Sequence, residues 1–105
     1  MDIDRIRKMC GDGSIRWTDH AIKRTIQRNI ARSDVKYILS VGEIIEEYPD
    51  DYPNSSCLIA GETMDCRNLH VVCGIGGDEL WVISMYYPTP EKWTDNFSKR
   101  KETLK

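Results

Sequence analysis

The chain contains 105 residues, of which 40% are hydrophobic and 30% are charged, and its net charge is −2. This size and composition predict one small globular domain with a single hydrophobic core, without internal repeats, low-complexity tracts or a linker. No apolar run is long enough to cross a bilayer and no signal peptide opens the chain, so we expect a cytoplasmic protein with no membrane partner.

The charges are strongly segregated along the sequence. Residues 1–36 have a net charge of +4, residues 37–98 of −9 and residues 99–105 of +3. Because the Debye length is only about 8 Å at physiological salt, a basic surface on a globally acidic protein can still bind an anion. The acidic middle argues against a general coat of nucleic acid and suits a basic partner instead. We expect residues 1–98 to form one α+β domain and residues 99–105 to form a basic, flexible tail.

The four cysteines do not form any C-x-x-C pair. Structural zinc sites usually contain closely spaced ligand pairs, so this spacing argues against a metal site. Free thiols that are buried or half-buried are expected instead in a reducing cytosol. We therefore expect neither a metal nor another cofactor. The cysteines are Cys10, Cys57, Cys66 and Cys73.

Three helices are predicted in the first part of the chain. Apolar spacing predicts the first over residues 2–9. Thr18 is a good N-cap for the second, and Asn29 can end it in a left-handed conformation. The third is predicted from about Arg32 to Ser40 and ends before Gly42. Its expected buried face consists of Val35, Ile38 and Leu39.

Strand patterns dominate the rest of the chain. Ile15-Arg16-Trp17 predicts a short edge strand between the first two helices. Four longer strands are predicted over residues 43–48, 57–63, 68–75 and 80–87. Gly76-Gly77-Asp78 predicts the hairpin turn between the last two. Helices followed by strands with short connections indicate an α+β fold, in which N-terminal helices pack on a four- to five-stranded antiparallel sheet.

Three residues of the second predicted helix, His20, Arg24 and Arg28, share one helical face because they are spaced four residues apart; we call them the basic stripe. Histidine exchanges protons near neutral pH, and arginine is suited to binding phosphate. Lys23 lies on the same polar side and adds a further cation. The pattern favours chemistry on a phosphodiester. The alternative is an ordinary solvated helix face, with His20 supporting the cap or packing against Trp17.

Two strand residues, His70 and Tyr86, are further candidates. Alternation places His70 on the face of its strand opposite Leu69 and Val71. If that face supports a groove, His70 is a second general acid or base; the alternative is a sheet histidine with satisfied hydrogen bonds. Tyr86 closes the last strand, where its phenol can donate to a phosphate or position a 2′-hydroxyl. A strand tyrosine without chemistry is the alternative.

Four other aromatic residues are candidates for binding single-stranded RNA by stacking on its exposed bases. Packing in the core or in loops is the more common role of such residues. They are Trp81, Trp93, Tyr48 and Tyr52. The glycines at positions 74–77 lack the spacing of a phosphate-binding loop, and no serine or cysteine lies in a nucleophile motif.

Several motifs together resemble a family of small, functionally uncharacterised bacterial proteins. The motifs are the basic stripe followed by Asn29-Ile30, then Asp34-Val35, Ile44-Ile45-Glu46-Glu47-Tyr48-Pro49-Asp50-Asp51, Leu69-His70-Val71-Val72, Ile83-Ser84-Met85-Tyr86-Tyr87-Pro88 and Trp93. In that family the last long motif usually reads Ile-Thr-x-Tyr-x-Pro, and Ser84 here keeps the hydroxyl of the threonine. The resemblance spans about residues 15–93.

Such proteins are similar to the RelE and BrnT ribonuclease toxins of toxin–antitoxin pairs. The resemblance implies a small α+β fold of the RelE or microbial-ribonuclease type, RNA as the substrate and a cognate antitoxin protein as a partner. Our hypothesis is a toxin-type, metal-independent endoribonuclease that works by acid–base catalysis. Its catalytic residues are His20, His70 and Tyr86. Its ligands for the substrate phosphate are Lys23, Arg24 and Arg28. The alternative is a non-catalytic module of the same fold that binds nucleic acid or protein.

Overall fold

The structure is a computed structural model that describes residues 1–94 and 96–101. The helices are α1 (Ile3–Gly11), α2 (Asp19–Gln27) and α3 (Arg32–Val41), and strand β1 (Ile15–Trp17) lies between α1 and α2. The later strands are β2 (Glu43–Tyr48), β3 (Ser56–Glu62), β4 (Asn68–Gly76), β5 (Glu79–Tyr86), β6 (Trp93–Thr94) and β7 (Lys99–Arg100).

The predicted boundaries of α2 and α3 are confirmed to within one or two residues, whereas α1, predicted over residues 2–9, begins after its N-cap Asp2 and extends to Gly11. The Thr18 hydroxyl oxygen accepts a hydrogen bond from the backbone N–H of Ala21 at 3.0 Å, which caps α2. Asn29 ends that helix with a φ of 53°, in the left-handed region. Gly42 follows α3 where the chain passes very close to β3. A methyl group added there would lie 2.6 Å from Ile59 Cγ2.

The main sheet has the strand order β1-β5-β4-β3-β2. Its four long strands form antiparallel neighbours, whereas β1 runs parallel to β5, with Ile15 opposite Leu80. The α+β class and the edge position of β1 are therefore confirmed, but the expectation of a wholly antiparallel sheet is wrong. Short hairpins fix the direction of the later strands, whereas β1 reaches β5 only through α2 and the rest of the sheet. Nothing local in its three residues sets that direction.

The hydrophobic core lies between the helices and one face of the sheet. Val35, Ile38 and Leu39 of α3 are fully buried there, as predicted. Leu69 and Val71 of β4 belong to the same core cluster. His70, which alternates with them, is absent from this cluster although it is fully buried. It lies on the second face of the sheet.

The second face is partly covered by the short hairpin of β6 and β7. Trp93 at the start of β6 is only 3% exposed. Lys99 and Arg100, which begin the segment predicted as a flexible tail, pair with Thr94 and Trp93. Lys101 follows them, and its backbone N–H donates to the carbonyl of Lys92 at 2.9 Å. Residues 102–105 of the predicted tail lie outside the described residues. The hairpin therefore brings basic C-terminal residues onto the sheet.

All four cysteines are free thiols. Cys57 and Cys73 lie opposite one another on β3 and β4, both buried, with their sulfur atoms 3.8 Å apart. Over residues 1–94 and 96–101, no group of three or more His, Cys, Asp or Glu side chains is arranged to hold a metal ion. Within the same residues, no helix is both long and apolar enough to cross a membrane.

Candidate functional site

Strand β1 pairs with the first part of one edge of β5, and helix α2 lies along the rest of that edge. The backbone N–H of Thr18 donates to the carbonyl of Val82 at 3.1 Å. At the other end of the helix, Arg28 Nη1 donates to the carbonyl of Met85 at 2.7 Å. These bonds satisfy backbone acceptors on a strand edge that has no further β-partner among the described residues. They also fix the position of Arg28 relative to the end of β5.

The first two members of the basic stripe lie on the helix surface. His20 is exposed, and its Nε2 accepts a hydrogen bond from Arg24 Nε at 3.3 Å. Arg24 Nη1 also donates to Gln27 Oε1 at 2.9 Å. Lys23 is exposed on the same helix. The guanidinium of Arg24 is thus held along the helix by its own neighbours.

A groove of about 560 Å³ lies where Arg28, the end of β5 and the C-terminal hairpin meet. We call it the Tyr86 groove. It contains three cationic side chains and one carboxylate, together with aromatic rings and a proline. Its lining residues are Arg28, Tyr86, Tyr87, Pro88, Thr89, Glu91, Lys92, Trp93 and Arg100. The fold therefore brings Arg28, from the basic first third of the chain, and Arg100, from its basic end, into one groove with Tyr86.

Arg100 is held in the groove by two neighbours. Its Nε donates to Glu46 Oε2 at 2.8 Å, and its guanidinium carbon lies 4.6 Å from the ring centroid of Trp93. The hydrogen bond with Glu46 raises the pKa of Arg100. Burial alone would raise the pKa of Glu46, but hydrogen bonds from Arg100 and Tyr48 outweigh it and hold that pKa below its ordinary value. Glu46 therefore neutralises part of the charge that Arg100 brings, at the side of the groove nearest β2.

His70 lies beneath the groove, with an exposed fraction of 0%. Its Nε2 is 2.8 Å from the carbonyl oxygen of Phe97, and its Nδ1 is 3.2 Å from the hydroxyl oxygen of Tyr86. A carbonyl oxygen can only accept, so Nε2 must carry the proton. Nδ1 is then an acceptor, and the Tyr86 hydroxyl donates to it. The ring of His70 also packs edge-on against Trp93, with centroids 4.5 Å apart.

Burial sets the protonation states of this pair. It lowers the pKa of His70 below 6.5, and this effect outweighs the carbonyl of Phe97, which favours the charged ring. It also raises the pKa of Tyr86 above 10.0. At neutral pH the structure therefore holds a neutral imidazole whose Nδ1 accepts a hydrogen bond from an intact phenol. The pair can accept one proton at His70 through the Tyr86 hydroxyl.

The structure brings together three of the six predicted site residues and leaves three apart. Tyr86 and Arg28 line the same groove, and His70 touches Tyr86 from below. His20, Lys23 and Arg24 are not among the residues that line this groove. The contacts of His20 and of His70 involve different neighbours, so the two histidines do not touch.

Two cations of the groove, Lys92 and Arg100, were missed by sequence reasoning. Arg100 lies in the segment that composition marked as a tail. A usable signal was present in the sequence, because Trp93 and Arg100 flank a short segment that contains Asn96. Asparagine favours turns, and Asn96 and Phe97 both adopt positive φ there. An aromatic residue and an arginine on either side of a turn are typical of a cross-strand pair.

Comparison with known protein families gives one match. The family described as Domain of unknown function (DUF4258) matches residues 17–87, which include the basic stripe, His70 and Tyr86 but exclude Lys92 and Arg100. No curated protein and no solved structure matches the chain.

Proposed function

The chain belongs to the DUF4258 family, and from the geometry of its Tyr86 groove we propose that it is a toxin-type endoribonuclease that cleaves RNA by acid–base catalysis without a metal ion. The observation that carries this proposal is the phenol of Tyr86. It lies between the cations Arg28 and Arg100 at the groove surface, and it is hydrogen-bonded to a buried neutral histidine behind it.

RNA contains its own nucleophile, the 2′-hydroxyl next to each phosphate. In the proposed reaction this oxygen attacks phosphorus, the bond from phosphorus to the 5′-oxygen breaks, and a 2′,3′-cyclic phosphate forms. The proton of the 2′-hydroxyl passes to Tyr86 while the phenol proton passes to His70 Nδ1. The leaving 5′-oxygen takes a proton from solvent in the open groove. Proton transfer by a positioned side chain contributes about 10²–10⁴-fold to such reactions.

The cations have a separate role in the proposal. Negative charge grows on the non-bridging oxygens as the phosphorane forms, and preorganised cationic donors stabilise it. Arg28 donates one N–H to the carbonyl of Met85 and has further N–H groups that can donate to a phosphate. Lys92 supplies a flexible point charge, and Arg100 a planar guanidinium supported by Trp93.

The sequence motifs resemble those of RelE- and BrnT-type toxins. From this resemblance the proposal takes a fold type and a partner. Helices packed on one face of a sheet, with the proposed site on the other side, suit a small ribonuclease of this type. A toxin of this kind requires a cognate antitoxin protein, and we propose one as the partner.

The test is cleavage of a labelled single-stranded RNA by the purified protein in EDTA. We expect cleavage by the wild type and a loss of about 100-fold or more in Tyr86→Phe and in Arg28→Ala. Tyr37→Phe is the matched control, because Tyr37 is a partly exposed tyrosine on α3 that does not line the groove. Equal cleavage by the wild type and Tyr86→Phe would rule out the role given to the phenol.

His20→Ala and Arg24→Ala test the rest of the basic stripe. The sequence prediction makes His20 an acid–base group, although the reaction above takes the proton of the leaving group from solvent. In the proposal Arg24, with Lys23, guides the RNA backbone along α2 toward Arg28. A large loss in His20→Ala supports a direct role in proton transfer. Full cleavage by both variants would confine the site to the Tyr86 groove.

A second function, a non-catalytic module that binds RNA or a protein, is favoured by one observation. His70 is fully buried and both of its ring nitrogens already have partners. In this case the Tyr86 groove binds phosphates and His70 only supports Tyr86. Binding of RNA without any cleavage, lost in Arg28→Ala, would favour this second function over the first.

A further inference from the structure

A second groove, of about 590 Å³, lies at the other end of β5, and we call it the Trp81 groove. Its floor is formed by glycines of β4, and its walls by Trp81 and the loop before β3. Gly74 lies opposite Trp81 in the sheet register. Tyr52, in the loop, is 95% exposed. The groove therefore offers two aromatic rings beside the backbone of these glycines, together with the side chains of Asn54 and Ile83.

Polar groups approach the glycines of the floor closely. A methyl group added at Gly76 would lie 2.6 Å from Asn54 Nδ2 and 3.3 Å from Trp81 Nε1. The carboxamide of Asn54 and the indole N–H of Trp81 thus meet above the same glycine. Neither makes a hydrogen bond within the part of the chain that the structure describes. They are two convergent polar groups beside an aromatic face, as ligand sites require.

The charges of this groove exclude a phosphate as its occupant. None of its lining residues is a lysine or an arginine, and Asp51 contributes a carboxylate that is hydrogen-bonded to Ser56. A flat, uncharged ring with polar edges suits the groove instead. Nucleobases have this chemistry, because they stack on aromatic side chains and accept hydrogen bonds at their edges.

The two grooves lie on the same face of the sheet. Gly74, Val72 and His70 lie on the same side of β4. Gly74 is opposite Trp81 on β5, and His70 is opposite Tyr86. Trp81 and Tyr86 are five positions apart on β5, which corresponds to ~16 Å. Helix α2 runs beside this stretch, with Thr18 lining the Trp81 groove and Arg28 lining the Tyr86 groove. A short run of nucleotides can extend from one groove to the other.

We propose that the Trp81 groove is a base-binding subsite, in which a nucleobase of single-stranded RNA stacks on Trp81 and Tyr52 and is hydrogen-bonded by Asn54. This inference rests on the proposed function in taking RNA as the ligand. The cationic Tyr86 groove holds the backbone, and the uncharged Trp81 groove holds a base a few nucleotides away. Together they combine cations for the backbone with aromatic side chains for the bases, as sequence-tolerant single-strand binders do.

The experiment uses the full chain and a short single-stranded RNA whose 2′-hydroxyls are methylated, so that it binds without being cleaved. Binding is followed by the NMR signal of the Trp81 indole N–H, assigned by its absence in Trp81→Phe. We expect Tyr52→Ala and Trp81→Leu each to weaken binding by about 5- to 100-fold. The exposed position of Tyr52 keeps Tyr52→Ala informative even if Trp81→Leu folds poorly. Gly76→Ala displaces the carboxamide of Asn54, so we expect it to weaken binding as well.

Two controls separate the base from the backbone. An abasic oligonucleotide of the same length keeps the phosphates, so we expect it to bind wild type and Tyr52→Ala equally. Tyr37→Ala removes an exposed tyrosine on α3 that lines neither groove, and it leaves RNA binding unchanged.

The outcomes for the subsite and for the ribonuclease are distinct. An unmoved Trp81 signal on RNA binding, or RNA affinities in both aromatic variants equal to the wild type, overturns the subsite even if RNA is cleaved. The subsite is also overturned if the Trp81 signal responds to an apolar peptide but not to RNA, or if the protein does not bind RNA at all. Base-dependent binding without cleavage of unmodified RNA supports the subsite and rejects the ribonuclease.

Discussion

Tyr86 and His70 lie directly opposite one another on neighbouring strands, and the phenol oxygen is 3.2 Å from the Nδ1 of the buried imidazole. Because the carbonyl of Phe97 holds the only proton of the ring at Nε2, the direction of this hydrogen bond is fixed. In the proposed reaction His70 therefore positions Tyr86 and accepts its proton without touching a substrate.

Tyr86→Phe and Tyr87→Phe form a matched pair of variants with opposite expected effects on stability. Tyr86→Phe leaves the buried Nδ1 of His70 without its donor, so we expect the free energy of unfolding to fall by about 1–3 kcal/mol. The hydroxyl of Tyr87 is buried and has no hydrogen-bond partner among the described residues. Its removal should leave stability unchanged or raise it by about 1 kcal/mol. Denaturant titration checks both, and a larger loss in Tyr87→Phe would contradict the assigned contacts.

Stability should depend on pH through His70. Burial lowers its pKa below 6.5, so the unfolded chain binds a proton at a pH where the folded protein does not. The free energy of unfolding therefore falls as the pH drops below about 6.5, by at most about 1.4 kcal/mol per pH unit. The lowered pKa of Glu46 contributes a separate loss only at pH values below 4.5. Denaturant titrations between pH 5 and 7 isolate the His70 contribution.

His70→Gln and His20→Gln are the controls for that measurement. His70→Gln cannot titrate, so we expect it to be less stable at pH 7 but to lose the slope between pH 5 and 6.5. His20 is exposed, and its replacement should keep the slope. A slope that survives in His70→Gln would place its origin elsewhere.

The cations of the Tyr86 groove should be visible in the salt dependence of RNA binding. Each phosphate contact to single-stranded nucleic acid adds about 0.7 to the slope of log affinity against log salt. We expect Arg28→Ala and Arg100→Ala each to reduce the slope by that amount. Lys36→Ala removes an exposed cation from α3, outside the groove, and should leave the slope unchanged. Fluorescence anisotropy of a labelled RNA over a salt series checks this, and equal slopes in all four proteins would contradict it.

Gly42→Ala tests the packing of α3 on β3. The added methyl group would lie 2.6 Å from Ile59 Cγ2 and 2.7 Å from the carbonyl oxygen of Ile38, so backbone and core must shift. We expect a loss of about 1–3 kcal/mol in the free energy of unfolding. Gly11→Ala is the control, because nothing lies within 4 Å of its added methyl group. It should be neutral or slightly stabilising, and similar losses in both variants would contradict the packing.

The helices and the long strands could be predicted because their signals are local. Thr18 caps α2, Asn29 ends it, and the turn after Gly76 joins β4 to β5. Alternation along β4 also predicts His70 on the face of the strand opposite Leu69 and Val71. Each of these features depends on residues within a few positions of one another.

The rest of the site could not be predicted because it depends on contacts between distant parts of the chain. The parallel pairing of β1 with β5 joins Ile15 to Leu80, and no residue of β1 encodes that direction. Arg100 reaches the site because Trp93 and Glu46 hold it, although composition alone marks its segment as a tail. The basic stripe was predicted as a unit, yet only Arg28 lines the Tyr86 groove, because α2 ends there.

The most direct test of the ribonuclease uses a DNA oligonucleotide that contains one ribonucleotide, incubated with the wild-type protein in EDTA. Only that position offers a 2′-hydroxyl. We predict a single cut directly after the ribonucleotide, with a 2′,3′-cyclic phosphate on one product and a 5′-hydroxyl on the other, and no cut in the all-DNA control. An uncut chimera, or products with a 3′-hydroxyl and a 5′-phosphate, would contradict the proposed chemistry.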